Sequence, residues 1–188
     1  MGPTRRDPEP WRKLRQTLDG RFTARARGLL ASEFVLLDRE GAQIGKLEVH
    51  GPQGADLRAG DVEARIERVG RSGYVMLSSG EEILTSTGGD PTSPVITTHD
   101  HPYRASLSIL RNKAEAGPAE HTTTVRINGG LTNWNYEASF EPGDENSLPV
   151  ALFILYHLVS QRRKAYGDRR LAACHRSLGG SGRSLGVA

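Results

Sequence analysis

The stretch Ser147–Tyr166, which reads SLPVALFILYHLVSQRRKAY, decides how this chain folds. Wound into a helix, its run Leu148–Val159 has no polar face, and a helix of that kind must be surrounded on every side. Pro149 fits the first turn, and the basic residues 162–164 suit the negative C-terminal end. The pattern therefore predicts a buried helix over about 148–166, which Gly167 ends.

The same run is too short to cross a membrane. It covers about 12 residues and about 18 Å of helix, whereas a span needs about 20 apolar residues for about 30 Å of hydrocarbon. We therefore predict a core helix and no transmembrane span.

Short segments that alternate apolar and polar residues precede the helix. Val62, Ala64 and Ile66 share one face of such a segment, and charged residues take the other. Turn residues join two pairs of these segments into predicted hairpins, at 34–49 and 74–85. Further strands are predicted at 95–98, 105–109, 123–127 and 134–140. About nine strands at roughly ten-residue spacing are typical of an all-β sandwich or barrel.

These elements predict one architecture. Each strand has one apolar face and the helix is apolar all round, so a closed antiparallel sheet around the helix buries both and leaves no sheet edge. The predicted fold class is mainly β (α+β), a closed antiparallel β-barrel wrapped around the C-terminal helix at 148–166. The predicted domains are a polar N-terminal segment (1–20), in which Trp11–Leu18 can form a short helix, a barrel domain (21–167) and a disordered basic tail (168–188).

The order of the elements resembles a known family. The early hairpin Phe34–Leu47, the strand Gly73–Leu77 and the stretch Leu148–Tyr166 are similar to the tubby C-terminal-like superfamily, and among its members most similar to the LURP-one-related and phospholipid scramblase-like proteins. The resemblance covers roughly residues 21–166. It implies a non-enzymatic binding or scaffold module whose ligands are anionic lipid headgroups. The Asp-rich segment of a calcium-dependent scramblase and the C-terminal tubby signature have no match here.

Charge is unevenly distributed along the chain. The formal net charge is +3, but both ends are basic and the middle is acidic, so the ends could attract an anionic membrane or a nucleic acid, or could form solvated tails. The arginines are not interleaved with aromatic residues, which disfavours nucleic acid. A nucleic-acid-associated protein acting through its Arg-rich termini is the alternative hypothesis.

The cysteine content and the N-terminal residues indicate the cellular compartment of the protein. Cys174 is the single cysteine, which excludes a disulfide within the chain. The N-terminus lacks the apolar run of a secretory signal. We expect a cytoplasmic protein that can be peripheral at the membrane, with no assigned protein partner.

Basic residues near the helix exit are the candidate anion site. Arg162, Arg163 and Lys164 would form an anion site at the barrel mouth, helped by Arg104, Arg111 or Lys113. The alternative interpretation is that residues 162–164 only match the negative end of the helix dipole.

Two histidines form a weak candidate metal site. His99 and His101 are close enough in sequence to share a metal, with Asp100 or His121 as a further ligand. A polar surface loop is the alternative.

No sequence motif indicates catalysis. His157 in the apolar helix is either a pH-sensitive group or, as we favour, a core histidine hydrogen-bonded to a neighbour or facing a barrel mouth. The Gly-x-Ser-x-Gly elbow, the Walker loop and the dinucleotide fingerprint have no match. We expect no enzyme activity and no cofactor.

Overall fold

The computed structural model describes residues 8–27, 32–118, 122–130 and 134–178, with side chains as far as Tyr166. Two α-helices, a 3₁₀ turn (Gly51–Gln53) and twelve strands make up this part of the chain. In chain order they are α1 (Glu9–Leu18), β1 (Arg21–Arg27), β2 (Glu33–Leu37), β3 (Gln43–Val49), β4 (Gly54–Ala59), β5 (Val62–Val69), β6 (Gly73–Ser78), β7 (Glu81–Thr87), β8 (Val95–Thr98), β9 (Pro102–Ser108), β10 (Lys113–Gly117), β11 (Val125–Gly129), β12 (Asn135–Phe140) and α2 (Ser147–Leu178).

The twelve strands form one closed antiparallel barrel, as predicted. Each strand pairs with its neighbours in the chain, and β1 closes the ring by pairing with both β2 and β12. Ala24 of β1 is opposite Leu36 on one side and Tyr136 on the other. Closure leaves no strand edge available for pairing with another chain.

The barrel interior is lined in large part by alanine. On several strands the inward positions carry a methyl group instead of a large side chain, and these alanines are buried. They are Ala24, Ala55, Ala59, Ala64, Ala105, Ala114, Ala116 and Ala138. Small inward side chains leave room for the bulky residues of a central helix, because a core is packed to a fixed density.

Helix α2 fills that room. Every side chain from Ser147 to Ser160 is buried, which confirms that the barrel wraps around an apolar helix. Rings from the helix pack against the wall: the centroids of Phe153 and Tyr156 lie 6.2 Å and 5.6 Å from that of Tyr74, in edge-on arrangements. Edge-on packing is favourable for aromatic rings.

The far end of α2 differs from the prediction. The helix continues to Leu178 and Gly167 does not end it, so the segment predicted as a disordered tail starts as helix; residues 179–188 lie outside the described part of the chain. One glycine inside a helix costs only about 1 kcal/mol relative to alanine. Leucine and alanine at 171–173 favour helix, and they follow closely enough to offset that cost.

Helix α1 covers the barrel end at which α2 begins. Trp11, Leu14 and Leu18 form its buried face, at the predicted spacing. The Trp11 indole Nε1 donates to Ser78 Oγ at 3.2 Å, and Arg15 Nη1 donates to the Glu145 carbonyl at 3.2 Å. In the described residues, neither helix combines the length and the apolar character that crossing a bilayer requires.

Candidate functional site

The two ends of the barrel carry opposite charge. We call the end at which α2 begins the acidic mouth, formed by the connections 19–20, 38–42, 60–61, 79–80, 99–101 and 141–146. In these connections a single arginine, Arg39, accompanies a set of carboxylates, and the helix α1 that covers this mouth adds Glu9, Arg12, Lys13 and Arg15. The carboxylates are Asp19, Asp38, Glu40, Asp61, Asp100, Glu141, Asp144 and Glu145.

We call the other end the basic mouth. It is formed by the connections 50–53, 70–72, 88–94 and 109–112 and by residues 161–166, where α2 leaves the barrel. Among the described residues of these segments the only carboxylate is Asp90. The cationic residues are Arg71, Arg111, Arg162, Arg163 and Lys164, and Arg68 is added from the end of β5.

A cavity of about 660 Å³ opens at the basic mouth. This volume is in the usual range for small-molecule sites. Backbone from three connections and side chains from α2 line it, and its charged groups are Arg68, Arg71, Arg163, Lys164 and Asp90. Four cations against one carboxylate make a site suited to an anion.

Polar side chains of α2 hold the connections of the basic mouth in place. Tyr156 donates its hydroxyl to the Gly51 carbonyl at 3.1 Å, and His157 Nε2 lies 2.9 Å from the Pro91 carbonyl. The Arg162 guanidinium donates to the Ile109 carbonyl of a third connection. Three loops are thus tied to one rigid helix, and two of them, 50–53 and 88–94, line the cavity. This part of the cavity is therefore formed before any ligand arrives.

Gly54 allows the connection 50–53 to approach strand β5 of the barrel wall closely. Its φ is +150°, and a Cβ atom at this position would lie 1.9 Å from the Ile66 carbonyl oxygen. Only glycine fits there, because no side chain tolerates both the backbone angle and the contact.

Arg163 is half-buried in the lining of the cavity. Its Nη2 is buried without a hydrogen-bond partner, and burial lowers the pKa of its guanidinium, an effect that the nearby Tyr136 hydroxyl partly offsets. A buried donor with no acceptor is costly. Because Nη2 is closed off from the cavity, the Arg163 side chain would have to rotate to offer it to a bound anion.

His157 is neutral in this setting. A carbonyl oxygen can only accept, so Nε2 carries the proton that bonds Pro91, and Nδ1 is buried without a partner. Burial lowers the pKa of the imidazole, and the bond to Pro91 offsets part of this. The histidine is therefore a core residue, hydrogen-bonded to a neighbour, that faces a barrel mouth, in agreement with the favoured interpretation.

The structure brings together only part of the predicted anion site. Arg163 and Lys164 line the cavity. Arg162 is buried, bonded to Ile109, and lies 5.2 Å from the centre of the Tyr166 ring, so it supports the mouth and does not line the cavity. Arg104 lies on the exposed face of β9, away from the cavity lining.

Sequence reasoning did not include Arg68 and Arg71 in the site. They lie about 90 residues before the helix exit, in the β5–β6 hairpin. In an up-and-down barrel every second hairpin lies at the same end. Counting hairpins places this one at the helix-exit end only when every intervening strand is known, and β10 was not among the predicted strands.

The two predicted metal candidates lie at the acidic mouth. His99 Nε2 lies 2.9 Å from the Glu82 carbonyl, and the His101 ring stacks on Tyr103 at 4.9 Å. Asp100 accepts a hydrogen bond from the Asn146 amide at 2.9 Å. Among the described residues no three metal-binding side chains are grouped, and His121 lies outside the described part of the chain.

Comparison with known proteins supports the fold alone. No family model matches the sequence, and no curated protein matches it. The X-ray structure of a protein from Arabidopsis thaliana, a LURP-one-related protein, matches with a TM-score of 0.53 and 12% identity, over 77% of this chain and 93% of that chain. The match therefore supports the fold, a barrel with a C-terminal helix, as one that this chain shares with a solved plant protein.

Proposed function

We propose that this protein is a non-enzymatic binding module whose basic mouth takes the phosphate-bearing headgroups of an anionic membrane surface. One observation carries the proposal: the preformed cavity of about 660 Å³ with Arg68, Arg71, Arg163 and Lys164 in its lining. Arginine recognises phosphate through paired N–H donors, and lysine adds a point charge. The protein would act in the cytoplasm and be held peripherally at the membrane.

The polar groups of the cavity favour binding over catalysis. His157 uses Nε2 to bond the Pro91 carbonyl, and Ser160 Oγ lies 3.4 Å from the Gly51 carbonyl. A nucleophile needs a base within hydrogen-bond reach. These two side chains are instead bonded to the backbone, as parts of the scaffold.

Vesicle flotation tests the proposal. The protein is mixed with phosphatidylcholine vesicles with or without phosphatidylserine and phosphoinositide, at low and at high salt, and with soluble inositol trisphosphate in a parallel titration. We expect binding only to the anionic vesicles, weakened by salt because the attraction is screened. We also expect measurable binding of the soluble headgroup.

A charge-reversal pair locates the binding surface. Arg71→Glu combined with Lys164→Glu should weaken anionic-vesicle binding by at least about tenfold, since each basic residue near such a surface contributes about 1 kcal/mol. The matched control, Arg58→Glu with Arg126→Glu, makes the same change in net charge on exposed positions of the barrel wall. The control should retain most of the binding.

Three outcomes contradict the proposal. Equal loss of binding in both double variants would mean that net charge matters and the mouth does not. If the protein bound neither vesicles nor inositol trisphosphate, phosphate-bearing lipid headgroups would be excluded as its ligands. Retention of a labelled RNA with no vesicle binding would favour the alternative of a nucleic-acid-associated protein.

A further inference from the structure

Three neighbouring strands form a sector of the barrel wall that is almost free of charge. Of the twelve strands, only β6 and β8 contain no charged residue. Strand β7 pairs with both, and its two charged residues, Glu81 and Glu82, lie at the end that faces the acidic mouth. Each of the other nine strands carries at least one charge. Contact surfaces are depleted of charge at their centre, so this sector is a candidate contact surface.

A groove of about 580 Å³ follows this sector on the outside of the barrel, and we call it the wall groove. Its apolar lining is Val69 at the end of β5 together with Val75 and Leu77 of β6, and Thr85 and Thr87 of β7 border it. On β6 and β7 these outward side chains alternate with buried residues that face the barrel core. The wall groove is therefore separate from the core.

Val75 forms a recessed floor in the wall groove. It is only 9% exposed, yet it is not part of the hydrophobic cluster that fills the barrel. Its strand partners Glu67 and Thr85 flank it on the outer face. A recessed apolar floor between longer neighbours can take an extended apolar chain, because ligand sites are concave and mostly apolar.

The wall groove is continuous with the cavity of the basic mouth. Their linings have five residues in common, Arg71, Ser72, Tyr74, Ser86 and Gly88. Two serines and a glycine are among them, which keeps the lip between the mouth and the wall low. A molecule whose head lies in the cavity can therefore continue over this lip onto the wall.

The order of polarity along this path is that of a lipid. Cations gather in the cavity, Arg71 lies at the lip, and the wall groove then runs without a further charge as far as Glu82. From Gly73 to Leu77 it follows β6 for about 13 Å. An anionic headgroup with an attached acyl chain has the same sequence of a charged end and an apolar end.

We propose that the wall groove holds an acyl chain of the lipid whose phosphate-bearing headgroup enters the cavity, so that the protein binds single phospholipid molecules. This inference rests on the proposed function, because it uses the same cavity, and it adds a site for the apolar part of the ligand.

The size of the uncharged sector favours an acyl chain over a second copy of the protein. Three strands lie across about 14 Å, and the groove is about 13 Å long. The resulting area of about 180 Å² is far below the roughly 800 Å² that each partner buries in a stable protein interface.

Short-chain lipids test the inference without a membrane. The full-length protein is titrated calorimetrically with inositol trisphosphate and with the dibutanoyl and dioctanoyl forms of phosphatidylinositol bisphosphate, below the concentration at which they form micelles. We expect the dioctanoyl form to bind at least about tenfold more tightly than the dibutanoyl form, since each methylene removed from water strengthens binding by about fourfold. Equal affinities for the two forms would overturn the inference.

A pair of matched substitutions locates the chain. Leu77→Gln should lower the affinity for the dioctanoyl form by about fivefold and leave the binding of inositol trisphosphate unchanged. Leu37→Gln, at a half-buried outward position of β2 away from the wall groove, should retain both affinities. Equal affinities of the two variants for the dioctanoyl lipid would assign the chain to another surface and overturn the inference.

Photolabelling supplies a direct readout. A dioctanoyl lipid with a diazirine near the chain end should label residues 74–87 in the unmodified protein, as mass spectrometry of its peptides would show. Labelling confined to other strands would overturn the inference. A dimer in sedimentation that Leu77→Gln makes monomeric would assign the wall groove to a second copy and would also overturn it.

Failure of the inference is distinguishable from failure of the proposed function. Binding of inositol trisphosphate with no dependence on chain length overturns the wall groove and leaves headgroup binding intact. Absence of binding to inositol trisphosphate, to both short-chain lipids and to anionic vesicles overturns the proposed function and the wall groove together.

Discussion

The acidic and basic mouths enclose the two ends of the same buried helix segment but close in different ways. At the acidic mouth α1 lays an apolar face on the barrel and leaves a cavity of about 60 Å³ between Trp11 and Pro149, with shallow clefts of about 310 Å³ and 450 Å³ outside it. At the basic mouth polar side chains of α2 hold the loops by their carbonyl groups and leave about 660 Å³ open. Burial of the α1 face thus fills the space above the start of α2, whereas a cavity stays open beside the end of the buried helix segment.

This difference assigns the stability of the fold mainly to residues of the acidic mouth and ligand binding to residues of the basic mouth. Carboxylates at the acidic mouth are used within the fold: the Tyr103 hydroxyl donates to Asp144 Oδ2 at 2.5 Å, and burial followed by this carboxylate raises the pKa of the phenol. At the basic mouth, Arg163 Nη2 lacks a partner. Substitutions at the acidic mouth should therefore alter stability, whereas substitutions in the cavity lining should alter binding.

The largest expected effect is at the acidic mouth. Trp11→Ala removes a buried indole and its bond to Ser78, and we expect the free energy of unfolding to fall by about 3–5 kcal/mol. Urea denaturation measures it. Arg12→Ala, at an exposed position of the same helix, is the control and should change stability by at most about 0.5 kcal/mol.

This substitution also tests the division between the mouths. Below its unfolding transition, Trp11→Ala should bind anionic vesicles as the unmodified protein does. A large loss of binding in the folded variant would mean that the two mouths are coupled through α2.

A smaller loss of stability is expected from Arg162→Ala at the basic mouth. It removes a buried guanidinium that bonds the Ile109 carbonyl, and a hydrogen bond from a charged group contributes about 1.5–3 kcal/mol. Lys164→Ala, at an exposed position, should leave the denaturation midpoint nearly unchanged. Equal midpoints for the two variants would show that Arg162 does not hold the mouth.

The barrel could be predicted because its two patterns have one common solution. A helix that is apolar all round and strands with one apolar face bury each other only in a closed sheet around the helix. Three strands, β1, β4 and β10, were not among those delimited from the sequence. Their inward residues are largely alanine, which has weak strand propensity and is present because the helix needs the space.

The site was only partly predictable, for a physical reason. Arg163 and Lys164 follow directly from the helix exit, since the chain leaves the barrel there. Arg68 and Arg71 meet them only through strand pairing, which local patterns do not reveal. The outward position of Arg104 was readable, because its neighbours Tyr103 and Ala105 alternate inward on β9.

The smallest expected effect concerns acid pH and His157. Burial lowers the pKa of this imidazole from its ordinary 6.5, so the unfolded chain takes up the proton at a higher pH than the fold does. The free energy that the neutral His157 contributes to stability is fully present above about pH 6.5. It is lost as the pH falls from there through the lowered pKa of the folded state. Urea denaturation from about pH 8 to about pH 5 measures it.

His157→Gln is the matched variant, because its amide can donate to the Pro91 carbonyl but does not titrate. The charged groups of the cavity, Arg68, Arg71, Arg163, Lys164 and Asp90, are common to both proteins, and hydrogen bonds from Thr92 lower the pKa of Asp90. The unmodified protein should therefore lose stability relative to the variant below about pH 6.5. If the free energies of unfolding of the two proteins changed in parallel with pH, His157 would be solvated in the folded state. A relative gain on acidification would mean that Asp90 stabilises an imidazolium, which would make the basic mouth a pH-sensitive site as well as a binding site.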